Sequence, residues 1–228
     1  MAAEFDTYAS SGYRRLLNDP LRGKFGGERF FFQRKLSLLR DLCQQYGKRS
    51  RSVHWLDVGC GDGTLLRIGE SYFAKVAGCD VSSGMIGDAK GLDIRQQPSA
   101  REIPFSDESF DFVTAVCVYH HVGFADRSFL TGEISRVLRS RGLFCIIEHN
   151  PLNPITQFIV RRHPIDIHAH LLTAEMSRGL GREAHMQVLA TRYFLYLPEF
   201  LYSKMPGLEA TLCHVPLGGQ YAVLCQKG

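Results

Sequence analysis

Trp55-Leu56-Asp57-Val58-Gly59-Cys60-Gly61-Asp62-Gly63-Thr64 joins an apolar run to a helical pattern through three glycines. Val53 to Val58 reads as a buried strand, and Thr64-Leu65-Leu66 opens a helix. The glycines between them alternate with small or acidic residues. Glycine lets the backbone turn sharply and approach a ligand without a Cβ in the way. A helix N-terminus adds unpaired N–H groups that suit an anionic or polar ligand. The loop therefore reads as a cradle for a cofactor.

The spacing narrows the choice of cofactor. The dinucleotide pattern wants Gly-x-Gly-x-x-Gly, whereas this loop has Gly-x-Gly-x-Gly. A second apolar run, Val76-Ala77-Gly78-Cys79, ends in Asp80. An acid at that point of a strand–helix–strand unit can accept from both hydroxyls of a ribose. Asp57–Gly63 together with Asp80 resembles motif I and the following acidic motif of class I S-adenosylmethionine (SAM) methyltransferases of the type-11 group. The resemblance continues in Ile103-Pro104-Phe105-Ser106-Asp107-Glu108-Ser109-Phe110-Asp111-Phe112-Val113, similar to that family's approach to its fourth strand. Glu133-Ile134-Ser135-Arg136-Val137-Leu138-Arg139 and Gly142-Leu143-Phe144 are similar to its helix and turn into the fifth. Four ordered motifs between Val53 and Glu148 are specific where one glycine loop would be weak.

The resemblance implies an α/β fold: a Rossmann-like seven-stranded sheet, mostly parallel with an antiparallel edge hairpin, plus an N-terminal helical lid. It implies one domain over 1–228, divided into a lid (1–50), a SAM-binding core (51–149) and acceptor-side helices with C-terminal strands (150–228). The implied cofactor contacts are the backbone of Gly59, Cys60 and Gly61, the Asp80 carboxylate on the ribose with Val81 beside it, and Met85 over the adenine. Met85 has the competing reading of a helix core residue. Asp57 either meets the methionine end of the cofactor or orients the glycine loop. Where the family has Asp-Ala before its Pro-Phe motif, this chain has Ser99-Ala100. Adenine recognition then falls to the serine hydroxyl or the Ala100 backbone. Val116 and Cys117 meet the cofactor amino group by backbone. Tyr8, Tyr13 and Arg34 belong to the lid, with Arg34 either forking onto the cofactor carboxylate or standing as a surface cation.

Acceptor chemistry is less legible. Methyl transfer from a sulfonium needs proximity and, for some acceptors, a base. His120 and His149 are the candidate bases, since histidine titrates near neutrality. His121 reads as packing or cofactor support. His163, His168 and His170 with Asp166 match no metal-binding spacing, so no metal is expected and the segment reads as a polar lid.

At 228 residues, 45% hydrophobic and 22% charged, the chain has the composition of one globular domain. No apolar run reaches the roughly 20 residues that span a bilayer, and no secretory signal is visible at the N-terminus. Seven scattered cysteines, none in a Cys-x-x-Cys pair, suit reduced thiols in a cytoplasm and argue against zinc. Residues 1–52 hold eleven basic against five acidic residues, a net of +6, which leaves −2 on the rest of a chain of net +4. This basic leader is either a solvated face or a surface for an anionic partner.

Periodicity predicts helices over Phe5–Leu17, Glu28–Tyr46, Ile155–Arg162 and Thr173–Arg182. It predicts strands over Val53–Val58, Lys75–Asp80, Leu92–Gln96, Phe110–Val116, Leu143–Glu148, Val188–Leu197 and Gly219–Cys225. The expected activity is methylation at O or N of a small acceptor, in specialised-metabolite or glycan tailoring. Two rivals stand beside it: a nucleic-acid methyltransferase, and a SAM-binding fold member that runs a non-methylating reaction. The chain lacks the Asn/Asp-Pro-Pro-Tyr loop that clamps a flipped base. The acceptor and the oligomeric state are not encoded legibly.

Overall fold

The computed structural model describes residues 23–228 apart from positions 88, 90 and 167. The predicted helix Phe5–Leu17, with Tyr8 and Tyr13, lies outside the described residues. The described chain runs α1 (Glu28–Gln45), β1 (His54–Val58), α2 (Thr64–Gly69), β2 (Lys75–Asp80), α3 (Ser83–Ile86), β3 (Asp93–Gln96) and β4 (Phe110–Val116). It continues with α4 (Phe124–Val137), β5 (Leu138–His149), α5 (Pro154–Val160), α6 (Ala174–Glu183), β6 (Met186–Phe194), α7 (Glu199–Tyr202), α8 (Pro206–Leu212) and β7 (Gln220–Lys227).

The seven strands form one sheet in the order β3-β2-β1-β4-β5-β7-β6. The first five are parallel; β7 pairs antiparallel with both β5 and β6. The order reverses between β1 and β4, which opens a crevice at the carboxyl ends of those strands. Side chains alternate between the two faces of a strand. Leu56, Val58, Val113 and Ala115 therefore join the core beneath α4 and α6, with Leu130, Ile134 and Leu180. Trp55 and Phe112 point the other way, into the core that takes Leu36, Leu39, Leu42 and Cys43 from α1. So α1 is a layer of the fold as well as a cover for the crevice.

Local chemistry fixes the helix ends. Thr173 Oγ1 accepts from Met176 N at 3.2 Å and caps α6. Asn153 Oδ1 accepts from Thr156 N at 2.9 Å, with Pro154 at the first helical position of α5. The longest departure from expectation is β5, which begins at Leu138 rather than Leu143. Arg141 adopts φ +58°, and the pairing with β4 shifts register between Phe110 and Phe112. A bulge carries the strand through the glycine that the sequence pattern marks as a turn. The Glu133/Arg136 pair of α4 also gains a purpose. Glu133 accepts from Ile103 N at 2.9 Å, and Arg136 donates to the carbonyls of Ile103 and Phe105. Together they clamp the loop that leads into β4. No helix among the described residues is long and apolar enough to cross a membrane.

Candidate functional site

A cavity of about 290 Å³ occupies the crevice. The carboxyl ends of β1, β2, β4 and β5 form its floor, α1 one wall, and the 153–166 segment the other. Phe31, Phe32 and Lys35 of α1 lean over it.

The glycine loop turns at the end of β1. Gly59 and Gly61 have φ +71° and +55°, a region that favours glycine. A Cβ on Gly59 would stand 2.5 Å from Val118 Cγ2, and one on Gly61 3.1 Å from Met85 Cε. Gly59 N and Cys60 N both donate to Cys79 O, at 2.8 and 3.1 Å. The Asp80 carboxylate holds the loop from the next strand: Oδ2 accepts from Gly61 N at 2.8 Å and Oδ1 from Ser82 N at 2.9 Å. Val81, Met85 and Ala100 complete this end of the cavity. The first turn of α2 contributes less than expected. Asp62 Oδ1 already accepts from Thr64 N and Thr64 Oγ1, at 3.0 and 2.7 Å.

Asp57 lies on the cavity floor, 3% exposed. It accepts from Thr114 Oγ1 at 2.5 Å, and Thr114 in turn accepts from Trp55 Nε1 at 2.9 Å. Burial pushes the Asp57 carboxyl up to about 7, against the Thr114 bond and the Lys35 ammonium. Asp57 therefore bonds to β4 rather than to the glycine-loop backbone. Lys35 Nζ donates to Cys117 Sγ at 3.6 Å. Cys117 has φ +59°, a conformation that non-glycine residues rarely adopt, and Gln220 Nε2 is 3.3 Å from its sulfur. Burial opposes the thiolate, yet Lys35 and His149 together bring the thiol down to about 6.

Two expected cofactor contacts are corrected. Arg34 does not reach the cavity: it donates to Tyr202 Oη and Glu209 Oε2, both at 2.5 Å, and stacks over the Tyr202 ring. The next residue, Lys35, carries the cation into the site. Ser99 is exposed, and its Oγ accepts from Arg101 N at 3.1 Å. Buried Gln97 lines the cavity near Ala100 instead, with its Nε2 donating to Ser99 O at 2.8 Å.

The far end of the cavity is rich in histidine. His120, His121 and His149 line it with His163 and Asp166. His120 is 1% exposed, its Nδ1 2.5 Å from Glu148 Oε2 and its Nε2 3.4 Å from Asp166 Oδ1. Glu148 also accepts from Val118 N and Tyr119 N, at 3.0 and 2.7 Å. Burial disfavours the imidazolium, but the two carboxylates outweigh it and raise His120 to about 10. His120 thus already holds its proton at neutral pH and is corrected as a candidate base. His121 is lowered, chiefly by burial. His149 faces the cavity with Nδ1 3.4 Å from Gln220 Nε2. Of the three histidines after α5 that the sequence reading grouped with Asp166, only His163 approaches it, Nδ1 to Oδ2 3.4 Å. His170 N instead donates to His120 O at 2.8 Å. His168 is exposed.

Residues 56–146 match the methyltransferase domain model of the type-11 family. The uncharacterised methyltransferase YcgJ of Bacillus subtilis is 33% identical over 109 residues, covering 44% of this chain and 42% of that protein. The ubiquinone biosynthesis O-methyltransferase of Sinorhizobium fredii is 30% identical over 142 residues, 56% of each chain. The chain therefore spans about half the length of these curated relatives. Among solved structures, a SAM-dependent methyltransferase of Thermotoga maritima, described as a possible histamine N-methyltransferase, superposes with TM-score 0.72 at 16% identity and full coverage of both chains. That likeness is one of fold. The domain match and the ordered glycine and acid motifs agree: residues 56–146 carry a methyltransferase domain of the class I type, with S-adenosylmethionine as its cofactor.

Proposed function

We propose that this protein transfers a methyl group to oxygen or nitrogen of a small molecule held in the cavity beside the cofactor. One observation carries the reading. A single cavity runs from the glycine loop and Asp80 to His149, His163 and α5. Cofactor and acceptor would then share one cavity, close enough for the in-line displacement.

The residues at the glycine end fit the cofactor. Gly59 and Gly61 line the cavity with backbone, and a Cβ on either would press on Val118 or Met85. Asp80, oriented by two backbone N–H groups, would accept from the ribose hydroxyls. Met85, Val81 and Ala100 would enclose the adenine with a polarizable and apolar surface, and buried Gln97 would supply a polar contact. The Asp57 carboxyl and the Lys35 ammonium would offer partners to the ammonium and the carboxylate of the cofactor's amino-acid end. When bound, the cofactor supplies the electrophilic methyl and its thioether leaving group. On the acceptor side, His149 would take the proton of the attacking O–H or N–H, because His120 is already protonated. Phe31 and Phe32 would keep water out.

A small acceptor fits better than nucleic acid. On α1, Arg34 is spent on Glu209 and Arg40 stacks on the Tyr72 ring, so these two cations are not presented as a phosphate-binding row. Binding of RNA that falls steeply with salt would favour the rival reading. Seven free cysteines fit a reducing compartment such as the cytoplasm. The test is a panel of phenols, amines and carboxylic acids incubated with SAM, read by mass spectrometry for S-adenosylhomocysteine and a singly methylated product. Product from wild type and a large loss in His149→Ala are expected. Cofactor consumption without a methylated product would select the non-methylating rival.

A further inference from the structure

We propose that His120, His121 and Asp166 form a binding site for one divalent transition-metal ion of the zinc or cobalt type at the acceptor end of the cavity. Nitrogen and oxygen donor atoms of these three residues all lie within 4.8 Å of one another. Nε2 of both histidines is 3.4 Å from the same oxygen, Asp166 Oδ1. That separation exceeds the usual 2.7–3.2 Å of an N–H···O hydrogen bond. It matches the spacing of two donors on one tetrahedral ion, which at bond lengths of about 2.1 Å lie about 3.4 Å apart.

The surroundings have the organisation of a metal site. Glu148 sits on the opposite side of His120, 2.5 Å from Nδ1, and is itself held by two backbone N–H groups. A carboxylate on Nδ1 fixes the ring and directs Nε2 toward the cluster, the arrangement that orients metal-bound histidine. His163 Nδ1 stands 3.4 Å from the other Asp166 oxygen, Oδ2. The ligands sit on two short turns, 119–121 and 164–166, and His170, beyond the second turn, donates its N–H to His120 O. Glu148 and Asp166 are 0% and 12% exposed; a bound dication would take the place of the proton on His120 Nε2 and leave Nδ1–H donating to Glu148. Two imidazoles and a carboxylate suit zinc, cobalt or ferrous iron better than magnesium or calcium, which favour all-oxygen sets.

His120, His121 and Asp166 all line the cavity, so the remaining coordination position would face the acceptor. This role rests on the methyltransferase reading above. A hydroxyl oxygen bound there would give up its proton to His149 more readily. The oxygen would then form its bond to the methyl carbon as the carbon–sulfur bond breaks, leaving a methyl ether, a neutral thioether and one released proton.

The test uses the full chain, stripped with chelator and titrated with Co2+ followed by competing Zn2+, with S-adenosylhomocysteine binding measured on the same samples. Wild type and His168→Ala, whose histidine is exposed and outside the cluster, are expected to bind one ion per chain and to show the visible bands of low-coordinate Co2+. Asp166→Asn and His121→Gln are expected to lose about 100-fold in affinity or more while keeping the wild-type circular dichroism spectrum, which shows that they fold. Absence of stoichiometric binding in wild type overturns the site, as does unchanged affinity in both variants. Metal binding without S-adenosylhomocysteine binding would support the site and sink the functional reading instead.

Discussion

Replacing Asp57 with Asn isolates the electrostatic cost of the cavity floor. Asp57 is 3% exposed, bonded to Thr114 and held at about 7 by burial, above its ordinary 3.8. The folded state therefore keeps a proton that the unfolded chain gives up between about pH 4 and pH 7. Where the folded state binds more protons, stability falls as pH rises. At about 1.4 kcal/mol per tenfold change in proton affinity, the full cost is about 4 kcal/mol, absent below about pH 4 and complete above about pH 7. Asparagine can accept the Thr114 bond and has no charge to desolvate. Urea unfolding of wild type and Asp57→Asn across this range should show the variant gaining about 4 kcal/mol on wild type from the acid to the neutral end. Other titrating groups cancel in the difference. A gap that stays flat within about 1 kcal/mol would mean that Asp57 is ionised in the folded protein much as in water, and the account of the floor would fail. Cofactor affinity should move the other way, because the ionised carboxylate would be the partner of the ammonium.

Arg34→Met should cost about 3 kcal/mol of stability by urea unfolding, because it strands Glu209, 3% exposed, without its cation. S-adenosylhomocysteine affinity should stay within about twofold, a change of under 0.5 kcal/mol; a large loss of affinity at unchanged stability would restore Arg34 to the cofactor site. Cys117 should react with iodoacetamide at a rate that reaches half its maximum near pH 6, and Lys35→Met should move that midpoint upward. Peptide mapping separates this thiol from Cys43, Cys60, Cys79, Cys145 and Cys225, all raised by burial. A midpoint in the ordinary thiol range for wild type would show that Lys35 and His149 do not stabilise the thiolate.

Local signals were legible in the chain, and long-range ones were not. The strand ends at Asp57 and Asp80 and the glycines between them follow from neighbours in sequence, since an apolar run, a turn and an acid are all short-range patterns. The predicted span Lys75–Asp80 coincides with β2 and Phe110–Val116 with β4, because both are buried apolar runs with clear stops. The edge strand β3 gives a weak pattern because most of its residues face solvent. Arg34 and Lys35 differ by one position on a helix, and which of them enters the cavity depends on Glu209, 175 residues away. Gln97 replaced Ser99 for a related reason: the chain reverses through a small bridge between Ser99 and Glu102, which turns the serine outward. The histidine cluster draws His120 to Glu148 across 28 residues and to Asp166 across a further loop. No fixed spacing announces such a set; two adjacent histidines after a strand are the only local hint.

If the glycine end of the cavity binds SAM through Asp80, calorimetric titration with S-adenosylhomocysteine reads it out without any acceptor. Wild type should bind one equivalent. Asp80→Asn, which keeps one carbonyl oxygen for the loop but loses the second acceptor, should bind at least about tenfold more weakly, a loss of about 1.4 kcal/mol, while remaining folded. No binding by wild type, or equal binding by folded Asp80→Asn, would show that Asp80 does not hold the cofactor.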